Sequence, residues 1–291
     1  MRIKKSLRKS IYRRIKMTNP ARIAVFILFF LWCGTFVFGL GWAIVASLNT
    51  HDAVILDPLS FPKTLNFGNY AEAFKVLQTG GTSFGSMMVN SLWFTVGMTA
   101  VGMATVVMAG YALGNFKFIG RNFIFTGIIV VSMVPVYGTG SATLIMFKNL
   151  GMYDSPLIVL SAASMLSGNT LIVMTFFQTL SPAYEEAAKI DGAGFWTIFL
   201  KVHLPMVLPA IGAITVLTLI ACWNNMDTPI YYLPSYSTLA SGLFKYESTA
   251  KFNMNIPVYY AGIMMCAVPP LVLFAVFRDK IMTNVTIGGV K

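Results

Sequence analysis

Six runs without a single Asp, Glu, Lys or Arg govern what this chain can become: 23–51, 76–116, 122–147, 155–184, 202–226 and 252–277. Each holds at least 25 residues, more than the ~20 that carry an α-helix across a hydrocarbon core about 30 Å thick. A bilayer offers backbone N–H and C=O groups no partner, so segments that cross it must be helices or closed barrels. The apolar content here is too continuous for the alternation of a barrel strand. The expected fold class is therefore all-α, a polytopic membrane protein with six transmembrane helices. Loop signals trim the spans to about 23–47, 86–112, 122–146, 157–178, 207–227 and 258–278. The second is trimmed most, because Gln78-Thr79-Gly80-Gly81-Thr82-Ser83 reads as a polar turn.

Charge confirms the class. Only 11% of side chains are charged and 56% are apolar, against roughly 25% charged in soluble domains. That excludes a disordered chain, a soluble enzyme of ordinary composition and, despite the net charge of +11, a free nucleic-acid binder. Lys and Arg set the orientation. With the N-terminus cytoplasmic, residues 1–22, 113–121, 178–206 and 278–291 lie inside with 16 basic residues, against 5 in the outer loops. Both termini are then cytoplasmic. The basic segment 1–22 holds the first helix by its amino end or clamps anionic lipid. The apolar stretch after it is too long for a cleaved leader, whose apolar region spans about 7–15 residues. Residues 23–291 form the transmembrane domain.

The chemistry of an independent machine is missing. The sequence has no phosphate-cradling G-x-x-x-x-G-K-[ST] loop, no H-E-x-x-H and no G-x-S-x-G. Cys33, Cys222 and Cys266 fall inside spans as small apolar residues, and the two histidines, His51 and His203, lie outside them, so no metal site is expected. An intramembrane carboxylate marks many ion-coupled carriers. Asp227, at the end of the fifth span, is the single candidate here, and it also reads as an interfacial residue.

The informative segment is the inner loop 181–206. Ser181 suits an N-cap and Pro182 the first helical position, while Glu185 and Glu186 follow where the helix dipole favours anions. Gly192 is expected to end this helix. Phe195, Trp196, Ile198, Phe199 and Val202 then return an apolar face at helical spacing, and Pro205 and Pro209 predict a break at the start of the fifth span.

Glu186-Ala187-Ala188, three residues, Gly192, nine residues, then Val202-His203-Leu204-Pro205 resembles the E-A-A-x3-G-x9-I-x-L-P signature of ATP-binding-cassette importer permeases, with Val202 at the usual Ile. Asn66-Phe67-Gly68-Asn69-Tyr70, Asn90-Ser91, Met133-Val134-Pro135, Leu150-Gly151-Met152-Tyr153-Asp154-Ser155 and the end Ile287-Gly288-Gly289-Val290-Lys291 are similar to the carbohydrate branch that includes the second membrane subunit of the maltose transporter. The resemblance implies a type I ABC importer permease fold in the bacterial cytoplasmic membrane, working as a heterodimer with a second permease subunit. It further implies two cytoplasmic ATPase subunits that bind ATP and Mg, no cofactor on this chain, and an extracytoplasmic solute-binding protein that delivers a sugar, most simply an oligosaccharide. The chain itself is then not an enzyme. Glu185, Glu186, Ala187, Ala188, Asp191, Gly192, Leu204 and Pro205 become the ATPase-coupling residues, and the tail 279–291 reaches toward the ATPases.

Uncharged polar and aromatic side chains suit a neutral sugar, so Tyr137, Asn169, Trp223, Asn224 and Asn225, with Asp227, are the pathway candidates. Helix-to-helix hydrogen bonding explains such residues equally well. Tyr246, Phe252 and Asn253 in the outer loop 228–257 are candidates for binding-protein docking, or else cap the helices. A permease for another polar solute, and less readily an ATP-independent secondary carrier, are the alternatives.

Overall fold

The computed structural model describes residues 19–78, 81–134, 138–249 and 254–287, and they form helices and turns throughout. Residues up to Tyr70 together with Asn255–Met264 make one compact unit; Ala71–Met254 with Met265–Lys291 make the other. The basic segment 1–18 and the last four residues lie outside the described residues.

In the first unit, α1 (Asn19–Ser47) is apolar around its whole circumference and buries none of its membrane-length window within the chain. A helix of that kind is covered by lipid or by another subunit. Its carboxyl end would leave orphan carbonyls. Asn69, 4% exposed, meets them: its Nδ2 donates to Ser47 O and Asn49 O, each at 2.8 Å, and the Tyr70 hydroxyl lies 2.8 Å from Ser47 Oγ. The Asn66–Tyr70 stretch therefore has a physical role as a helix cap. A short α2 (His51–Leu56) follows, Trp42 Nε1 donates to Pro58 O at 2.6 Å, and the Trp42 ring meets Tyr260 edge-on at 4.9 Å.

The second unit is organised around one long helix. After α3 (Gly68–Val76) comes α4 (Phe84–Asn115), whose N-cap Ser83 accepts from Ser86 N. It packs against α7 (Gly168–Gln178), α9 (Phe195–Trp223), the 3-10 turn Pro156–Ala162 and α11 (Leu239–Thr249). Small residues make this approach possible. A Cβ on Gly110 would stand 2.8 Å from Val173 Cγ1, and one on Gly97 would stand 2.7 Å from Val159 Cγ1, both closer than atoms pack. Met103, Val106, Val107, Tyr111, Val173, Phe177, Phe199, Val207, Ile211 and Ile214 fill the resulting core.

Among the described residues four helices are long and apolar enough to span a bilayer: Arg22–Ser47, Phe84–Asn115, Phe195–Trp223 and Ile256–Val276, the last within α12 (Ile256–Ile287). The third and fourth charge-free runs are interrupted. The third is split into α5 (Arg121–Met133) and α6 (Gly140–Asn149). Thirteen residues reach about 20 Å, short of the core thickness. The cause is Pro135: Val134 before it leaves the helical region for φ −89° and ψ 112°. The fourth run enters as the 3-10 turn, opens over 163–167 and becomes helical again at Gly168. Non-helical backbone at that depth is tolerated where protein or a polar cavity covers it.

The fifth run corrects an expectation. Pro205 and Pro209 do not break the chain: the helix runs from Phe195 through both. A π-helical stretch, Ile198–His203, widens the backbone immediately before Pro205, with Leu204 N–H reaching back five residues to Phe199 O. That wider turn gives the proline ring room against the preceding carbonyls, which a regular α-turn would not. The two parts expected as a short loop helix and a separate span are one element.

Candidate functional site

The loop 181–206 is built almost wholly from local bonds. Its first part, α8 (Pro182–Ile190), starts where Ser181 Oγ accepts from Ala183 N at 3.4 Å, and Glu185 occupies the first turn. It ends in a complete Schellman closure. Gly192 N donates to Lys189 O at 3.0 Å and Ala193 N to Ala188 O at 2.9 Å, with Gly192 at φ +78° and Asp191 as the C-cap. Only a residue without Cβ adopts that angle cheaply.

No residue of α8 is buried. Glu185 is paired with Lys189 one turn on at 2.6 Å, which leaves the exposed carboxylate of Glu186 without an ion pair among the described residues. Ala187 and Asp191 are exposed and Ala188 is half-buried. Around this small, acidic tip stand Tyr184, Ile190, Phe195 and Trp196, all exposed, with Ile190 at 86%. The helix thus combines an acidic tip with an exposed apolar collar and has no internal packing of its own. Ile190 was not singled out by sequence reasoning, although its place at the last helical position before the cap was visible there.

Behind the tip the loop is anchored. Ile198, Phe199 and His203 are buried at the base, Leu204 packs on the main core, and Pro205 is exposed. His203 is 2% exposed, and its Nδ1 lies 3.2 Å from Asn115 Nδ2 and 3.1 Å from the Tyr111 hydroxyl. Tyr111 in turn stacks with Phe177, Phe195 and Phe199 at centroid distances of 5.1, 5.9 and 4.6 Å. Sequence reasoning missed this cluster, since nothing local links residues 88 and 92 positions apart.

Where described, the pathway candidates lie on different elements. Asn169 is exposed in the first turn of α7. Asn224 and Asn225 are helix caps: Asn224 closes α9 with Nδ2 on Ile220 O at 3.0 Å, and Asn225 Oδ1 accepts from Thr228 N at 3.0 Å to start α10 (Asp227–Tyr232). Asp227 is exposed in the first turn of α10, where the dipole favours an anion. Trp223 is 5% exposed and its Nε1 donates to Cys266 O at 3.1 Å, so on this chain it packs two helices together and shows no open ring face. Tyr246 is half-buried on α11. Tyr137, Phe252 and Asn253 lie outside the described residues. Among the described residues no group of three or more His, Cys, Asp or Glu side chains is placed to hold a metal ion.

Asp154 and the residues around it are held by one further knot. Asp154 takes φ +50°, its N–H donates to Tyr232 O, and its carboxylate accepts from Ser235 N at 2.9 Å and Ser235 Oγ at 2.7 Å. This ties the turn after α6 to the segment after α10.

The family described as "Binding-protein-dependent transport system inner membrane component" matches residues 106–282, which include the whole loop 181–206. A diacetylchitobiose uptake system permease protein of Streptomyces coelicolor is 26% identical over 265 residues, covering 90% of this chain and 86% of that protein. An arabinooligosaccharides transport system permease protein of Bacillus subtilis is 26% identical over 281 residues, covering 93% and 96%. Among solved structures, a chain of a bacterial ABC transporter involved in import of the acidic polysaccharide alginate superposes with a TM-score of 0.73 at 22% identity, covering 90% of this chain and 98% of that one.

Proposed function

We propose, from the premise that this chain belongs to the family of binding-protein-dependent transport system inner membrane components, that it is a permease subunit of an ATP-driven importer of oligosaccharides. The observation that carries the reading is α8: a helix capped at both ends by its own residues, with nothing of it buried and an unpaired carboxylate at its tip. Such an element has no use to its own chain and fits a cleft in a partner. The chain has no phosphate-cradling loop, so ATP and Mg belong on the ATPase subunits that receive α8. A second permease subunit completes the pathway, and α1, apolar on every side, offers one of the surfaces it or lipid would cover.

The named relatives transport oligosaccharides and align over nearly the whole chain, which supports a sugar as the solute. The six charge-free runs carry no Lys or Arg, which suits a neutral one. Asn169, Asn224 and Asn225, with Asp227 and Tyr137, supply the uncharged donors and acceptors such a solute needs along the pathway. Tyr246, Phe252 and Asn253 belong to the face on which the binding protein docks.

The test is Glu186→Ala combined with Gly192→Pro in the assembled complex. Proline can neither take φ +78° nor donate to Lys189 O. Solute-stimulated ATP hydrolysis is expected to fall at least tenfold while assembly persists; undiminished stimulation overturns the docking reading. Competition of uptake by neutral oligosaccharides tests the solute class, and competition only by a charged solute would favour a permease for another polar compound.

A further inference from the structure

α8 buries nothing, and one route from it into the bundle is the helix Phe195–His203 behind it. That helix meets the end of α4 at a polar joint inside an aromatic shell: His203 Nδ1 against Asn115 and the Tyr111 hydroxyl, at 3.2 and 3.1 Å.

The other end of α4, roughly 36 Å away, carries a second polar joint. Asn90 Nδ2 donates to Ser237 O at 3.1 Å, and Leu239 N donates to Ser91 Oγ at 2.8 Å. Ser91, Ser237, Thr238, Leu239 and Ser241 are all at most 2% exposed, and Thr238 N donates to Ser241 Oγ to start α11. Between the joints α4 packs chiefly through Phe94, Met103, Val106 and Val107, with two polar contacts, Ser164 N donating to the part-buried Thr105 Oγ1 at 3.2 Å and a weak Thr218 Oγ1–Met103 Sδ contact at 3.9 Å. Apolar contacts are non-directional and let packed helices shear. A buried hydrogen bond fixes register, because sliding past it leaves polar groups unpaired in a dry environment.

We propose that α4 is a rod pinned at both ends, and that His203, Tyr111 and Asn115 are positioning residues that carry movement of α8 to segment 233–249. The rod thus joins the element that docks on the ATPase to α11, which lies on the face assigned to the binding protein. The proposal rests on the reading of α8 as the docking element.

The experiment uses the complete complex, with its ATPase subunits and binding protein, in lipid nanodiscs. ATP with orthovanadate is the probe, and hydrogen exchange of segments 182–194 and 233–249 is the readout. Both segments are expected to change protection in the wild type. In His203→Leu the change at 182–194 persists and the change at 233–249 falls at least fivefold. His203→Asn, which keeps a polar atom near the Nδ1 position, restores it. Adding Ser91→Ala to His203→Leu causes no further loss, since both variants cut the same rod. If the complex with His203→Leu does not assemble, Tyr111→Phe, which removes one hydroxyl, decides in its place. An undiminished response at 233–249 in the variant that assembles, a wild-type segment 233–249 that never responds, or independent additive losses each overturn the rod. A wild-type segment 182–194 that shows no protection by the ATPases overturns the docking reading itself.

Discussion

α8 and α4 are both helices of one chain, and their stability has opposite origins. α8 is nine residues long with no buried side chain, and its shape comes from Ser181, the Glu185–Lys189 pair and the Gly192 closure. α4 is 32 residues long with twelve buried ones, and its position comes from what packs on it. Short isolated helices are marginal in water, so α8 depends on its caps and the one ion pair. The contrast teaches where change is tolerated. α8 can be altered without disturbing the bundle, whereas α4 cannot.

The largest expected effect is in α4. Gly110→Leu places a side chain where even a Cβ stands 2.8 Å from Val173 Cγ1 and 3.1 Å from Met174 N. Overpacking costs about 1–3 kcal/mol or more, and here backbone blocks relaxation. Yield of folded protein in the membrane should drop severalfold, measured by monodisperse material after detergent extraction. A normal yield would show that α4 and α7 stand farther apart than they do here.

Ser181→Ala probes α8 at the next level. Losing an N-cap costs about 0.5–2 kcal/mol, confined to the loop. Amide exchange over 182–190 should accelerate several-fold while the melting temperature of the bundle stays put. A shift of the whole melting curve would mean that α8 is not independent.

Thr95→Val tests α4 from the other side. The Thr95 hydroxyl is buried without a hydrogen-bond partner, and an orphan of this kind costs about 1 kcal/mol or more. The nearly isosteric valine should raise the melting temperature slightly. A fall would reveal a partner for that hydroxyl. The smallest effect is expected for Lys189→Ala, which removes an ion pair whose lysine is 61% exposed. Exposed pairs one turn apart contribute about 0.3–0.5 kcal/mol, so helicity of the loop should change only at low salt, by the same exchange measurement.

Much of α8 was legible in advance because each determinant acts within a few residues. Ser181, Pro182, Glu185 and Gly192 each favour one local conformation, and the helix begins and ends where they place it. The same local logic misled at Pro205 and Pro209. A proline next to a regular helix forbids continuation, but a π-helical turn before it removes the clash, and that turn is stabilised by burying Ile198, Phe199 and His203 against α4 and α7. Asn224 and Asn225 were legible as polar residues in an apolar run. Their assignment as caps needed the helix end at Trp223, which the sequence pattern placed four residues later.

The charge-free runs by themselves determined that the chain is helical and belongs in a membrane, because a backbone in hydrocarbon has no other way to satisfy its polar groups. The spacing from Glu186 to Pro205 singled out the loop for which docking on a partner is proposed. Only the tertiary structure decided that the fourth run is interrupted, that the fifth begins at Phe195, and that His203 is buried at the base of the loop. Those outcomes depend on contacts between residues about ninety to one hundred and fifty apart in sequence, such as His203 with Asn115 and Leu239 with Ser91. Periodicity and capping act over a few residues and carry no record of such pairings, which exist only once the helices have packed.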